Sequence, residues 1–256
     1  NNDGIYWHYH QPAKSGIGNE WSNDWFSSNE YLNMLNKLVV DRSFFPSCFR
    51  AGGRIEDNNL SHWLEEYIPF DYSNCSGEID WDRIESDGKK LREVADWSSA
   101  STLWKGYRPS HKNYQDKGKM RRHIFRSVDC NSPVYEIKEK DIFEAFSLAD
   151  KGDNAVLSIF EHDRRFSLIE NIQDFTNKLK KISKEFKHIK FYFKNAQDAS
   201  NLSLNLKVKK APIFKIKICD DRRILISCKD QIFGSRPYAC VKFKDKLSEV
   251  PLNKVG

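Results

Sequence analysis

An apolar run with no polar face, residues 154–160 (NAVLSIF), stands directly before a long amphipathic segment and a second apolar run. No other feature constrains the fold as strongly, because strands of this kind are covered on both faces, as in parallel sheets. Residues 166–187 place Leu168, Ile169, Ile172, Phe175, Leu179 and Ile182 on one helical stripe, and 189–193 (IKFYF) reads as the next strand. Earlier segments repeat the order. Strands are expected over 5–9, 46–51, 70–73 and 123–128, and helices over 28–41, 57–67 and 139–150, with Asp57, Asn58 and Asn59 as cap candidates for the second helix. This alternation predicts an α/β fold around a parallel sheet. The chain has 7 Trp, 10 Tyr and 17 Phe, so a core is available although 30% of its residues are charged. Only 75–121 breaks the pattern. It is polar and aromatic-rich, with Trp81, Trp97, Trp104 and Tyr107, and long insertions in compact domains usually serve function.

After Ala196 the style changes to short strands over 213–218, 223–227 and 239–243, joined by turns at Asp220-Asp221 and Gly234-Ser235. We place a boundary near 203, separating residues 1–203 from a basic, β-rich appendage over 204–256. Charge follows the same division. Residues 201–256 hold 13 Lys and Arg against 5 acids, whereas the first 200 hold 29 against 31, so the body is not a polyanion binder. No run approaches the roughly 18 apolar residues of a membrane span. The six cysteines show no CxxC spacing, which fits reduced, mostly buried thiols in a cytosolic protein. The opening residues show neither an initiator Met nor a signal pattern, so we read the chain as lacking its natural N-terminus.

Three places where strands end carry reactive side chains. In Trp7-His8-Tyr9-His10 the two imidazoles alternate onto one face, a geometry suited to a divalent metal, although two partly exposed histidines at a strand end have the same spacing. In Phe49-Arg50-Ala51-Gly52-Gly53 an arginine precedes two glycines: Arg50 can hold a carboxylate bidentately while Gly52 and Gly53 admit a substrate to the backbone, or the run is a turn with a surface arginine. In Glu161-His162-Asp163 an imidazole lies between two acids, which raise its pKa and favour a general acid. Parallel α/β folds gather ligands at the carboxyl ends of their strands, and all three sites lie there.

Over about Ile5 to Ala199 the chain resembles the polysaccharide deacetylase family, the enzymes with a NodB-homology domain, and within it the branch found with bacterial exopolysaccharide genes. The family's histidine motif matches here as a shortened His8-x-His10, implying metal ligands. Phe49-Arg50-Ala51-Gly52-Gly53 is similar to the motif whose arginine orients the catalytic carboxylate. Asp96-Trp97 resembles the pair in which Trp lines the pocket and Asp steers the catalytic imidazole, and His162 after Leu157-Ser158-Ile159 matches the strand end that supplies the general acid. The resemblance implies a partial (β/α) barrel with its early strands missing and a small C-terminal antiparallel β appendage. It also implies a divalent metal, zinc by preference, and hydrolysis of N-acetyl groups on a polysaccharide or oligosaccharide. The family's first motif, which supplies the base and a carboxylate ligand, precedes the histidines by a strand and a helix, whereas only seven residues precede His8. The metal shell is therefore expected to be incomplete, with Asp163 or Asp24 as substitutes for the missing carboxylate. A non-catalytic glycan-binding relative is the competing expectation, and a lectin has no need of both the histidine pair and His162. Nucleic-acid binding by the tail is not expected, because Cys219, Cys228 and Cys240 lack finger spacing.

Overall fold

The computed structural model describes residues 4–10, 30–77, 80, 82, 84, 88–90, 93, 95–131, 135–163, 165–207, 211–219 and 223–253. Five parallel strands form a half-barrel sheet in sequence order: β1 (Trp7–Tyr9), β2 (Cys48–Ala51), β3 (Phe70–Asn74), β4 (His123–Asp129) and β5 (Ser158–Phe160). Between them run α1 (Glu30–Arg42), α2 (Asn58–Tyr67) and α3 (Glu139–Asp150), followed by α4 (Leu168–Ser183) and α5 (Ala196–Ser203). The expected cap forms at α2, where the Asp57 carboxylate accepts from Leu60 N at 2.7 Å.

Strand alternation divides the sheet into two faces. On one, Trp7, Phe49 and Ala51 pack on Tyr31 and Leu35 of α1 and Leu60 and Leu64 of α2. Ile124 and Val128 pack on the same side against Ile142 and Phe146 of α3 and Phe175 and Leu179 of α4. The opposite face carries Cys48, Phe70, Tyr72 and Phe125 under Ala196 and Ala199 of α5. Towards the carboxyl end of β2, the next residue of that face is Arg50.

Two sequence expectations are corrected. The aromatics of 95–121 build core: Trp97 and Trp104 are 0% and 1% exposed, and Tyr107 and Tyr114 pack with them. Residues 189–193 form no strand, and Tyr192 and Phe193 are exposed. The chain leads instead into α5, which is anchored elsewhere: Tyr6 Oη donates to Asn195 Oδ1 at 2.7 Å, and Tyr72 Oη donates to the Ala196 carbonyl at 2.8 Å. A strand needs a neighbour as well as a pattern, and this segment lines a cavity with Ser158 and Ile159 of β5 without forming a ladder to it. The sequence reading passed over α5 itself; its signal was Asn195, whose side chain accepts from Asp198 N as an N-cap.

The C-terminal segment forms two hairpins. Strand β6 (Phe214–Ile218) pairs with β7 (Ile224–Cys228), and β8 (Cys240–Phe243) pairs with β9 (Lys246–Glu249), a strand the sequence reading missed. The expected Asp220-Asp221 turn lies outside the described residues. The second hairpin docks on the body: Tyr238 Oη donates to Asn36 Oδ1 at 2.9 Å, its ring meets Tyr67 edge-on, and Tyr67 Oη donates to Glu249 at 3.1 Å. Among the described residues no helix is long and apolar enough to cross a membrane.

Candidate metal-binding rim

His8 lies on β1 and pairs with Arg50 of β2 in parallel register. Its Nδ1 is 3.0 Å from the Arg50 carbonyl oxygen. A carbonyl only accepts, so Nδ1 carries the proton and Nε2 presents a lone pair. His10 Nε2 is 3.2 Å from that lone pair, with the two rings nearly perpendicular. Tetrahedral zinc with bonds of about 2.0–2.1 Å separates two nitrogen ligands by about 3.3 Å, so the pair fits one cation; without one, the same distance suits a hydrogen bond donated by His10. Crowding by protein atoms, and then the Arg50 charge, push the His8 pKa down to about 4, which keeps its ring neutral at physiological pH. Among the described residues no group of three or more His, Cys, Asp and Glu side chains forms a metal-sized cluster. Asp163 is described and exposed, whereas Asp24 lies outside the described residues.

Gly52 supports this pair directly. A Cβ on it would lie 2.5 Å from both Cα and Cγ of His10, so the missing side chain admits the imidazole. Gly53 adopts φ +60°, a conformation that favours glycine, and turns the chain after β2. The contacts of Gly52 thus run to the histidine, where the sequence reading expected a substrate.

The Arg50 guanidinium lies 3.5 Å from the centroid of the Phe160 ring on β5. Burial lowers its pKa to about 10, which leaves it charged at neutral pH, and among the described residues its buried Nε has no hydrogen-bond partner. A buried cationic donor in this state is strongly disposed to accept an oxygen ligand. The His162 ring lies 5.9 Å from that of Phe160 and nearly perpendicular to it. The charge of His162 is also felt at His8. His8, Arg50 and His162 therefore share one rim.

Sequence reasoning missed the network that holds the rim. Arg165 clamps Asp129 bidentately, at 2.5 and 2.7 Å, and reaches Glu161 Oε1 at 2.5 Å. Glu161 also accepts from its neighbour His162 N at 2.9 Å and, through Oε2, from Asn171 Nδ2 at 2.9 Å. The strand-end rule that singled out His8 and His162 points equally to Asp129, the last residue of β4. Asp96 and Trp97 sit differently. The Asp96 carboxylate accepts from Ser98 N at 2.9 Å, and Trp97 Nε1 donates to the Arg54 carbonyl at 2.8 Å. Fully buried, Trp97 offers no ring face to a ligand and instead braces the turn that follows Gly53. Comparison with protein-family models, curated proteins and solved structures finds no match to this chain.

Proposed function

We propose that the chain is a metal-dependent hydrolase of the polysaccharide deacetylase type, removing N-acetyl groups from a polysaccharide or oligosaccharide. The observation that carries this reading is the pair of Nε2 atoms at 3.2 Å, with His8 fixed in its tautomer by the Arg50 carbonyl. His8 and His10 would hold the cation, zinc by preference, which when bound polarises an acyl oxygen and acidifies a water. Arg50 would orient the carboxylate base through its guanidinium. His162, positioned through Glu161, protonates the departing amine. Trp97 supports the rim through the Gly52–Arg54 turn.

Two measurements test this. Calorimetric zinc titration should show binding that weakens about tenfold or more in His8→Ala and in His10→Ala; affinity unchanged from the parent chain in both variants would remove the metal from the reading. In a chain extended to include the carboxylate motif ahead of His8, which supplies the base, acetate release from an N-acetylated oligosaccharide in the presence of zinc should fall about a hundredfold or more in His162→Ala with zinc content unchanged. Loss of zinc in that variant would make His162 a ligand, and full turnover would exclude it from the reaction.

A further inference from the structure

The β6–β7 hairpin holds an amphipathic surface that the rim does not use. Its register sets Phe214 opposite Cys228, Ile216 opposite Ile226, and Ile218 opposite Ile224. Directly opposed residues point to the same side, so these side chains make one wholly apolar face. Lys215, Lys217, Leu225 and Ser227 make the other. At one end Phe214, Ile226 and Cys228 line a small open cavity of about 190 Å³ with Asp230, Ile232 and Pro237. Among the described residues nothing comparable shields the other end, where Ile216, Ile218 and Ile224 are 67%, 78% and 60% exposed. An apolar cluster this concentrated marks an interaction surface.

Size and charge decide between occupants. A two-stranded face five residues long spans roughly 17 by 10 Å, far below the roughly 800 Å² that each partner of a stable dimer buries. A second copy is therefore a poor fit. The surroundings are basic: Lys215, Lys217 and Lys229 are exposed, and residues 204–256 carry 13 Lys and Arg against 5 acids. Isoleucines on one face and lysines on the other suit a sheet of anionic headgroups above hydrocarbon. The apolar face enters the headgroup–acyl boundary while the ammonium groups stay among the phosphates. We propose that the β6–β7 hairpin anchors this protein to the surface of anionic phospholipid bilayers, independently of the chemistry at the rim.

Sedimentation of the full chain with phosphatidylcholine vesicles containing about 30% phosphatidylglycerol, and with phosphatidylcholine alone, tests this. We expect binding to the anionic vesicles, at least about tenfold weaker on the neutral ones and weakened again at roughly 0.5 M salt. The exposed pair Ile218→Ser/Ile224→Ser should reduce binding about tenfold or more. Lys215→Glu/Lys217→Glu, on the opposite face, should do the same, and circular dichroism spectra and melting temperatures should match the parent chain. Absence of anionic-vesicle binding would overturn the proposal. So would binding that responds to the lysines but not to the isoleucines, which would leave a general polyanion surface. Self-association abolished by the isoleucine pair, without vesicle binding, would assign the face to a second copy.

Discussion

On the helix-covered face of the sheet Arg126 has a partner on every nitrogen: the Ser76 and Thr102 carbonyls, Tyr135 Oη and Asp141. Beside it Arg122 reaches Glu56 at 2.8 Å, Asp71, and Ser61 Oγ at 2.7 Å, with its side chain entirely buried. On the opposite face Arg50 rests on the Phe160 ring with its Nε unpaired. All three guanidiniums are withdrawn from water, a cost that paired carboxylates and carbonyls offset for the first two. Nε is unpartnered in Arg50 and in Arg122 alike; what differs is that buried carboxylates hold Arg122 and Arg126, whereas among the described residues no carboxylate pairs with Arg50. Burial of charge alone therefore does not separate the arginine of the rim from those of the core; the paired carboxylate does.

The largest expected effect tests this contrast. Arg126→Met takes the cation from the buried Asp141, and Arg122→Met takes it from the buried Glu56 and Asp71, so each should lower unfolding stability by about 3–5 kcal/mol in urea titrations. Arg50→Met strands no carboxylate in direct contact and lays an apolar chain on Phe160, so its cost should stay within about 1 kcal/mol. Equal losses at Arg50 and Arg126 would erase the distinction between the faces. Gly52→Ala is next in size. Its Cβ would drive into the Tyr9 and His10 backbone as well as the His10 ring, so zinc affinity should fall about 10- to 100-fold together with a loss of unfolding stability. Unchanged affinity would show that His10 is not held by this contact.

The smallest effect concerns pH. Burial, and then the Arg108 charge, lower the His123 pKa from 6.5 to about 4. Its neutral ring therefore contributes stability that is fully present above about pH 6.5 and is lost as pH falls towards 4, because the unfolded chain binds the proton more readily. The urea midpoint should decline across that window, and His123→Gln should make the decline shallower. An identical slope in the variant would transfer the dependence to other groups, His8 among them, whose pKa is lowered in the same way.

Much of the fold was legible because hydrophobic period is a local property. The strand–helix order, the Asp57 cap and the 139–150 helix follow from residues close in sequence. Part of the site was legible for a related reason: strand alternation joins His8 to Arg50 on one face, and parallel strands bring their ends together. Asp129 and Arg165 escaped notice because their clamp closes across 36 residues and neither belongs to a local motif.

What the sequence determined by itself was therefore which segments become helices and strands and which strand ends carry reactive side chains. Only the tertiary structure decided that Trp97 is core, that Gly52 makes room for His10, and that 189–193 stays out of the sheet. Each of those outcomes depends on a partner distant in the chain. An indole ring is buried or open according to what closes over it, and an apolar run becomes a strand only where a neighbouring backbone takes up its hydrogen bonds. Residues 189–193 have the pattern of a strand, yet they line a cavity with Ser158 and Ile159 of β5 and form no ladder to it.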